Sequence, residues 1–238
     1  MFLTETWLKS HSDPLISDFH AAVNGYAVHQ QPRLQRRGGG VAILSRCHLK
    51  ADNRKTHSFK SFECLEVSFR SQSVLLRTIV VYRPPESYKN KATKNDFLAD
   101  FSSLLEIVLP LPGFLLIGGD FNLHFGHHES PMSRKFQDLL ESRGLSQHVA
   151  DPTHVKGQTL DLLITRASDQ LIDDVLARSW SLIIISFISV LIYLVHRMLS
   201  QHVLMGISVS LTVRISGHGL NPRFLIFQWT PAQMTYAT

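Results

Sequence analysis

The stretch that most constrains the fold is an apolar run of strand length that ends in two glycines and two polar residues. It spans residues 115–122 and reads LLIGGDFN. Because alternate residues of an extended strand lie on one face, Asp120 and Asn122 are predicted to point the same way from a strand end. An Asx turn after the strand is the structural alternative. The glycines would leave room for a substrate or for neighbouring backbone.

The pairing of a carboxylate with a carboxamide suits hydrolysis of a phosphate ester. An ionised carboxylate can orient or deprotonate a water molecule, a role that Asp120 would take. The amide of Asn122 can donate to a phosphoryl oxygen and accept from the water without adding a second negative charge. The stretch therefore predicts a phosphoesterase site.

The charge of the chain is distributed unevenly. The formal net charge is +5, but residues 175–238 contain four arginines and no Asp, Glu or Lys, which leaves +1 for the first 174 residues. The basic character therefore gives only weak support for a nucleic-acid surface. The two cysteines form neither a metal-binding pattern nor a disulfide framework, and the first residues lack the features of a signal peptide, so an intracellular protein is expected.

Periodicity along the chain predicts strands that alternate with helices. Strands are predicted at residues 2–8, 41–44, 62–69, 73–82, 115–122 and from residue 159, and helices at 95–109 and 133–144. Residues 9–37 are predicted to be rich in turns. The three glycines at 38–40 are predicted to form a hairpin turn, with a phosphate cradle as the alternative. This alternation favours an α/β sandwich.

Two further groups of polar residues lie at predicted strand ends. Glu5 lies near the end of the first predicted strand and is either a ligand for a hard cation such as Mg²⁺ or a solvated surface carboxylate. Tyr82 and Arg83 end a strand just before two prolines. Their hydroxyl and guanidinium groups either contact a phosphate or cap the core beside the turn.

A third group precedes and opens the last predicted strand. Thr159 and Asp161 are two residues apart and share a face of that strand. Asp161 is either a carboxylate that holds a catalytic imidazole in the required tautomer or a structural strand residue. His154, in the preceding loop, is either a substrate contact or an ordinary loop histidine.

The order and spacing of five motifs resemble the endonuclease/exonuclease/phosphatase family. The closest resemblance is to the apurinic-type endonuclease domain of non-LTR (LINE-type) retrotransposons, and it covers residues 1 to about 175. The motifs are TETWL at 4–8, GGGVA at 38–42, YRPP at 82–85, GGDFN at 118–122, and PTH at 152–154 with GQTLD at 157–161.

This resemblance implies a four-layer α/β sandwich, incomplete at both ends, and Mg²⁺-dependent cleavage of a DNA phosphodiester. Mn²⁺ is an alternative metal, no small-molecule cofactor is expected, and a functional copy would act in the nucleus. The implied roles are metal binding by Glu5, phosphate contact by Tyr82, water activation and positioning by Asp120 with Asn122, orientation of the family's catalytic histidine by Asp161, and substrate contact by Thr159, Arg83 and His154.

Two parts of the family pattern are absent. The family has an earlier strand that carries an active-site Asn, and it ends with a strand that bears Ser-Asp-His, a motif found nowhere in these 238 residues. We therefore expect impaired activity. The alternatives are a non-catalytic remnant that binds nucleic acid and a phosphoesterase that acts on a small or lipid phosphate.

Residues 176–238 are predicted to form a separate tail. Where Ser-Asp-His is expected, residues 181–186 read SLIIIS, and one back-translation of them begins Ser-Asp-His-His-Leu when it is read two bases later. We therefore hypothesise a frameshift between about residues 174 and 181, which would leave the tail out of frame or disordered. A membrane anchor at residues 182–195 is the alternative, although 14 residues are fewer than the roughly 20 needed to cross a bilayer.

Overall fold

The computed structural model describes residues 1–13, 16–17, 25–34, 38–71, 73–86, 91–125, 130–154 and 157–172. The predicted tail at 176–238, with its apolar run at 182–195, lies outside the described residues. Within the described part of the chain, no helix is long and apolar enough to cross a membrane.

A six-stranded mixed sheet forms the centre of the fold. Its strand order is β4-β5-β6-β7-β9-β8, and β6 pairs with β7 in parallel whereas the other pairs are antiparallel. The long apolar runs of β6 and β7 occupy the middle of the sheet, where both faces are covered. The bounds are Ala51–Ser58 for β4, Glu63–Ser71 for β5, Val74–Tyr82 for β6, Phe114–Phe125 for β7, Leu145–Gln147 for β8 and Thr159–Arg166 for β9.

A smaller antiparallel sheet packs on one face of the central sheet. It has the order β1-β3-β2 and consists of β1 (Phe2–Thr4), β2 (Tyr26–Gln31) and β3 (Val41–Arg46). Its buried Val41 and Ile43 join Leu65, Val80 and Tyr82 of the central sheet in one apolar cluster. Residues of β5 and β6 alternate between this cluster and the opposite face, as the period of two requires.

Two helices pack on the opposite face. They are α1 (Lys94–Val108) and α2 (Pro131–Ser142), and their aromatic side chains bury against the sheet. A capping box between Thr93 and Asp96 fixes the start of α1. Ser130 caps α2, with Pro131 in its first turn. The described residues therefore form an α/β sandwich, as predicted, and they account for three of its four predicted layers.

Most predicted elements are present, and the differences have physical reasons. The predicted turn-rich segment 9–37 contains β2, so that part of the prediction is wrong. The exposed edge strand β4, which reads ADNRKTHS, was also not predicted, because its side chains give no apolar alternation. The first strand ends at Thr4, and α2 begins two residues before the predicted Ser133. The glycines at 38–40 lie in the connection from β2 to β3, as a hairpin requires.

Candidate active site

Three polar residues stand side by side across the central sheet. Tyr82 of β6 is paired with Asp120 of β7, and Asp120 is paired with Asp161 of β9. By alternation these residues lie on the face that meets the smaller sheet, at the end of β6. We call Tyr82, Asp120 and Asp161 the polar row. Residues directly opposite on neighbouring strands have adjacent side chains, so two carboxyl groups are held next to each other here.

The two glycines of β7 bring this strand close to its neighbours. At Gly119, φ is +139°, and a side chain would overlap the carbonyl of Val81 on β6. At Gly118, a side chain would overlap the ring of Phe2 on β1. The space predicted beside the glycines is therefore filled by the neighbouring strand β6 and by Phe2. This close packing fixes the strands around Asp120.

The strand changes direction just after Asp120. Pairing with β9 is interrupted between Asp120 and Phe125, and Asn122 adopts a left-handed φ of +49°. The backbone N–H of Asn122 donates to Asp120 Oδ1 at 3.1 Å, which is an Asx turn. β7 runs through Asn122 as predicted, but the left-handed residue breaks its regular alternation, and the Asx turn given as the alternative forms within the strand. The turn itself holds the amide beside the carboxylate.

The amide of Asn122 is oriented from the neighbouring strand. Its Nδ2 donates to the carbonyl oxygen of Arg83 at 2.8 Å. Because an amide nitrogen carries two hydrogens, the side chain can hold this bond and also hydrogen-bond the Asp120 carboxylate, an interaction that lowers the pKa of Asp120. The backbone N–H of Arg83 in turn donates to the Asp120 carbonyl at 2.8 Å.

Glu5 joins the polar row from the smaller sheet. It follows β1 with a φ of +53°, and the hydroxyl of Tyr82 donates to its Oε1 at 2.7 Å. The next residue is tied down by the bond from the Thr6 N–H to the Gly40 carbonyl, at 3.1 Å. Burial, together with the bond and charge of Glu5, raises the pKa of Tyr82, so its hydroxyl stays protonated and donates.

The carboxyl groups of the polar row repel one another. Burial and the neighbouring charges of Asp161 and Glu5 raise the pKa of Asp120 well above its usual range. Burial also raises the pKa of Asp161, although a hydrogen bond with Thr153 and the charge of His154 act in the opposite direction. Two such groups titrate as a pair, and together with Glu5 they form a site with excess negative charge.

Three predicted substrate residues lie around this centre rather than in it. Arg83 is only 2% exposed, and its guanidinium donates to the Asn122 carbonyl at 3.1 Å and pairs with Glu86 at 3.0 Å. Thr159 is buried and donates to the Asp151 carbonyl at 3.1 Å. His154 bridges to Gln158 across the loop that precedes β9. These contacts give each residue a structural role, and their substrate contacts stay predictions.

Sequence reasoning missed three residues that support the site. Glu63 lies opposite Tyr82 on β5, accepts from the Gly40 N–H at 2.6 Å and pairs with Arg33. Thr153 accepts from the N–H groups of Leu160 and Asp161, at 2.9 and 3.0 Å. The hairpin register would have placed Glu63 beside Tyr82, and Thr153 lies in the PTH motif. The partnership of Arg33 with Glu63, 30 residues apart, has no local signal.

A cavity of about 320 Å³ opens beside the turn at Asn122. Among the residues that line it are Lys94 at the start of α1, His124 just after the turn and Ser130 at the start of α2. The sequence alone predicts that His124, His127 and His128 are loop residues, with metal binding or base catalysis as the alternative, but the structure places His124 in β7. His127 and His128 lie outside the described residues.

The donor set suits a hard divalent cation. Glu5 and Asp120 offer oxygen ligands, and the repulsion that raises the pKa of Asp120 is what a cation would offset. Among the residues that the structure describes, no group of three or more His, Cys, Asp or Glu side chains is placed to hold a metal. Mg²⁺ is commonly bound through one or two carboxylates with several waters, so Glu5 and Asp120 fit that mode.

The α/β sandwich and the polar row at the end of its central strands together define the general class of protein. The model of the endonuclease/exonuclease/phosphatase family matches residues 1–200, and the chain belongs to this family. The match passes the boundary at about residue 175 that was predicted from the motifs. Members of the family hydrolyse phosphate esters or phosphodiesters and generally use divalent metal ions.

Several solved structures are similar to this chain at low sequence identity. A Bacteroides thetaiotaomicron mannosyl-6-phosphatase is 14% identical, with a TM-score of 0.51 over 69% of this chain and 70% of that one. A humanized D. rerio TDP2 is 13% identical, with a TM-score of 0.50 over 69% and 68%. The Neisseria 3′ phosphatase NExo, bound to a product DNA hairpin, is 18% identical, with a TM-score of 0.49 over 70% and 76%. No curated protein matches the chain.

Proposed function

We propose that this chain derives from a metal-dependent DNA endonuclease of the LINE retrotransposon type and that it hydrolyses phosphodiester bonds. The observation that carries the proposal is the polar row, in which Tyr82, Asp120 and Asp161 align on adjacent strands and Tyr82 bonds Glu5. Family membership supports the reaction class. The order of the motifs, from TETWL to GQTLD, supports the retrotransposon type.

Asp120 is the proposed group that orients the attacking water and takes its proton. An ionised carboxylate at this position, between Tyr82 and Asp161, can orient a water molecule and accept its proton. The water oxygen bonds to phosphorus, the ester bond to the leaving oxygen breaks, and the leaving oxygen takes a proton from solvent. The Asn122 amide, which hydrogen-bonds the Asp120 carboxylate and the Arg83 carbonyl, would position this carboxylate.

Glu5 and Asp120 would hold the Mg²⁺ ion, or Mn²⁺ in its place. The ion would supply a positive charge that neutralises charge developing on the phosphoryl oxygens. Tyr82 would contact the scissile phosphate through its hydroxyl, which already points at Glu5. Asp161 lies where a carboxylate would orient a catalytic imidazole, and Thr159 would line the site beside it. DNA is the proposed partner, and the nucleus the proposed location of a functional copy.

We infer that the activity of this chain is weak, because no Ser-Asp-His motif occurs in its 238 residues. The imidazole of that motif, which Asp161 would orient, is therefore missing from the proposed reaction. The frameshift after residue 174 is the proposed origin of this loss. The alternative function, DNA binding without cleavage, rests on the same missing motif.

A nicking assay with supercoiled plasmid tests the proposal on the full chain. We expect slow conversion to the nicked form that requires Mg²⁺ or Mn²⁺ and stops with chelator. Asp120→Asn should lower the rate by about 10²–10⁴-fold, the usual contribution of a positioned base. The matched control is Asp52→Asn, which changes an exposed aspartate on β4 and should leave the rate unchanged.

The outcomes separate the alternatives. Plasmid binding without metal-dependent nicking would support the non-catalytic remnant. Hydrolysis of a soluble phosphomonoester without nicking would support a small-molecule phosphoesterase. Nicking that survives Asp120→Asn would contradict the proposed role of Asp120.

A further inference from the structure

Trp7 presents a large aromatic side chain to solvent two residues after Glu5. The residue is 48% exposed, whereas its neighbours Thr6 and Leu8 are buried. An exposed indole carries more apolar surface into water than other side chains, so its position beside a polar site calls for a physical reason.

The backbone holds Trp7 in a strained conformation. Its φ is +58°, a left-handed value that is uncommon for a bulky residue. The N–H of Trp7 donates to the Gly39 carbonyl at 2.9 Å, which fixes this part of the backbone to the glycine segment at 38–40. Strained residues that surrounding contacts hold in place cluster at ligand sites.

The indole of Trp7 packs against the backbone of the glycine segment at 38–40. A Cβ atom on Gly38 would lie 3.6 Å from the Cζ2 atom of Trp7, so the six-membered ring rests against this glycine. One side of the indole is therefore supported by backbone, while nearly half of the residue stays open to solvent. A supported aromatic surface of this kind is suited to stacking.

The exposed indole is continuous with the candidate active site. Arg33 lies against Gly39, the residue next to the glycine under Trp7. Its guanidinium is 5.7 Å from the ring centroid of Tyr82, whose hydroxyl bonds Glu5. Glu5 and Trp7 are also separated by one residue along the chain. A phosphate held at Tyr82 and Glu5 would thus place an adjoining nucleotide near the indole.

We propose that Trp7 stacks on a nucleobase next to the phosphate that is hydrolysed. This inference rests on the proposed function, and it adds a base-binding surface to a site whose other residues address the phosphate. Every nucleobase has a flat π surface, so stacking on Trp7 gives affinity without selecting a sequence. The strain at Trp7 is then the structural cost of holding an aromatic platform in solvent.

Binding to two matched oligonucleotides tests the stacking directly. The full chain is titrated in Mg²⁺, over times that are short relative to its slow nicking, with a dye-labelled oligothymidylate and with an abasic oligonucleotide of equal length. Fluorescence anisotropy reports each affinity. Trp7→Ala should weaken oligothymidylate binding by about tenfold, as loss of one stacked base predicts, and should leave abasic binding unchanged. Trp7→Phe should retain most of the affinity.

The matched control is Ile107→Ala on α1. Ile107 is also 48% exposed and lies outside the polar row. The Ile107→Ala variant should therefore bind both probes as the unaltered chain does. The stacking inference is overturned if Trp7→Ala binds oligothymidylate normally, or if it weakens both probes equally. If the unaltered chain binds neither probe, the proposal that DNA is the partner is wrong, and the stacking inference is wrong with it. Normal plasmid nicking with normal binding by Trp7→Ala would overturn the inference alone.

Discussion

Two sets of acidic side chains lie on opposite faces of the central sheet, and their surroundings differ. On the helix face, Glu66 is buried and accepts from Arg77 at 2.7 and 2.9 Å and pairs with His57 at 2.9 Å. Arg77 also donates to the Val108 carbonyl at the end of α1, at 2.7 Å. On the other face, Asp120 and Asp161 stand opposite each other.

The pKa values of the two sets shift in opposite directions. Burial raises the pKa of Glu66, but the bonds from His57 and Arg77 and their charges outweigh it and lower the pKa overall. Burial and the like charges of Asp161 and Glu5 raise the pKa of Asp120 by more than the hydrogen bonds from Asn122 and the charge of Arg83 lower it. The charge of Glu66 is thus balanced by basic side chains within the fold. At Asp120 and Asp161 the effects that disfavour ionisation prevail, which marks a place where a bound cation would supply positive charge.

The largest expected effect comes from removing the compensation at Glu66. Arg77→Met should lower the free energy of unfolding by about 3–5 kcal/mol, because the buried Glu66 carboxylate loses its arginine partner and keeps only His57. The α1 terminus also loses the donor to Val108. Chemical denaturation, followed by circular dichroism, measures this change.

The double variant Glu66→Leu with Arg77→Met separates charge from packing. Removing both charges should recover most of the lost stability, since apolar side chains often replace a buried pair at little cost. Arg77→Met alone could instead lower the free energy of unfolding by less than about 1 kcal/mol. The Glu66–Arg77 pair would then be as weak as a solvent-screened surface pair, which would contradict the contrast drawn with Asp120.

A smaller effect of opposite sign is expected at the polar row. The raised pKa of Asp120 means that the folded state binds more protons than the unfolded state above the ordinary value of 3.8. Stability should therefore fall as pH rises through that window. Asp120→Asn removes this loss and should raise Tm by about 2–4 °C at about pH 8, as 1 kcal/mol does in a chain of this size. Partial exposure of the carboxyls limits the gain.

The pH dependence and a matched variant check the origin of this gain. The gain should shrink as the pH falls toward 3.8, where Asp120 is protonated in both states. Asp100→Asn is the same chemical change at a carboxylate that accepts from the Ser61 N–H and hydroxyl, at 3.0 and 2.7 Å. It should lower Tm. A lower Tm for Asp120→Asn at about pH 8 would contradict the account of an unrelieved charge.

The smallest effect is expected at an exposed pair on the same strand as Glu66. Arg70 on β5 pairs with Asp52 on β4 at 3.3 Å, and the two side chains are 52% and 43% exposed. Arg70→Met should change the free energy of unfolding by less than about 1 kcal/mol. A loss as large as that of Arg77→Met would show that burial does not set the strength of these pairs.

The sequence allowed prediction of strands whose side chains meet the core and of positions at their ends. Apolar runs located β3, β5, β6, β7 and β9, and the spacing of the motifs located Glu5, Tyr82, Asp120 and Asp161. Their alignment across three strands depends on sheet order and register, which no local pattern contains.

Other features had no local signal in the sequence. β4 is polar and exposed, so its pattern resembles that of a loop. The left-handed turn at Asn122 interrupts the alternation on which its predicted orientation depended. The burial of Arg83 follows from its contacts with Asn122 and with Glu86. A basic residue after a strand gives no indication of which way its guanidinium turns.

A carboxyl ¹³C NMR titration of the metal-free full chain tests the central contrast most directly. Glu66 and Asp120 can be followed in the same spectra, with Glu66→Gln and Asp120→Asn used to assign the signals. The account predicts that Glu66 titrates below its ordinary pKa of 4.5 and that Asp120 titrates above its ordinary pKa of 3.8. An Asp120 carboxyl that titrates at or below 3.8 would contradict the account, because the polar row would then carry no unrelieved charge for a ligand to offset.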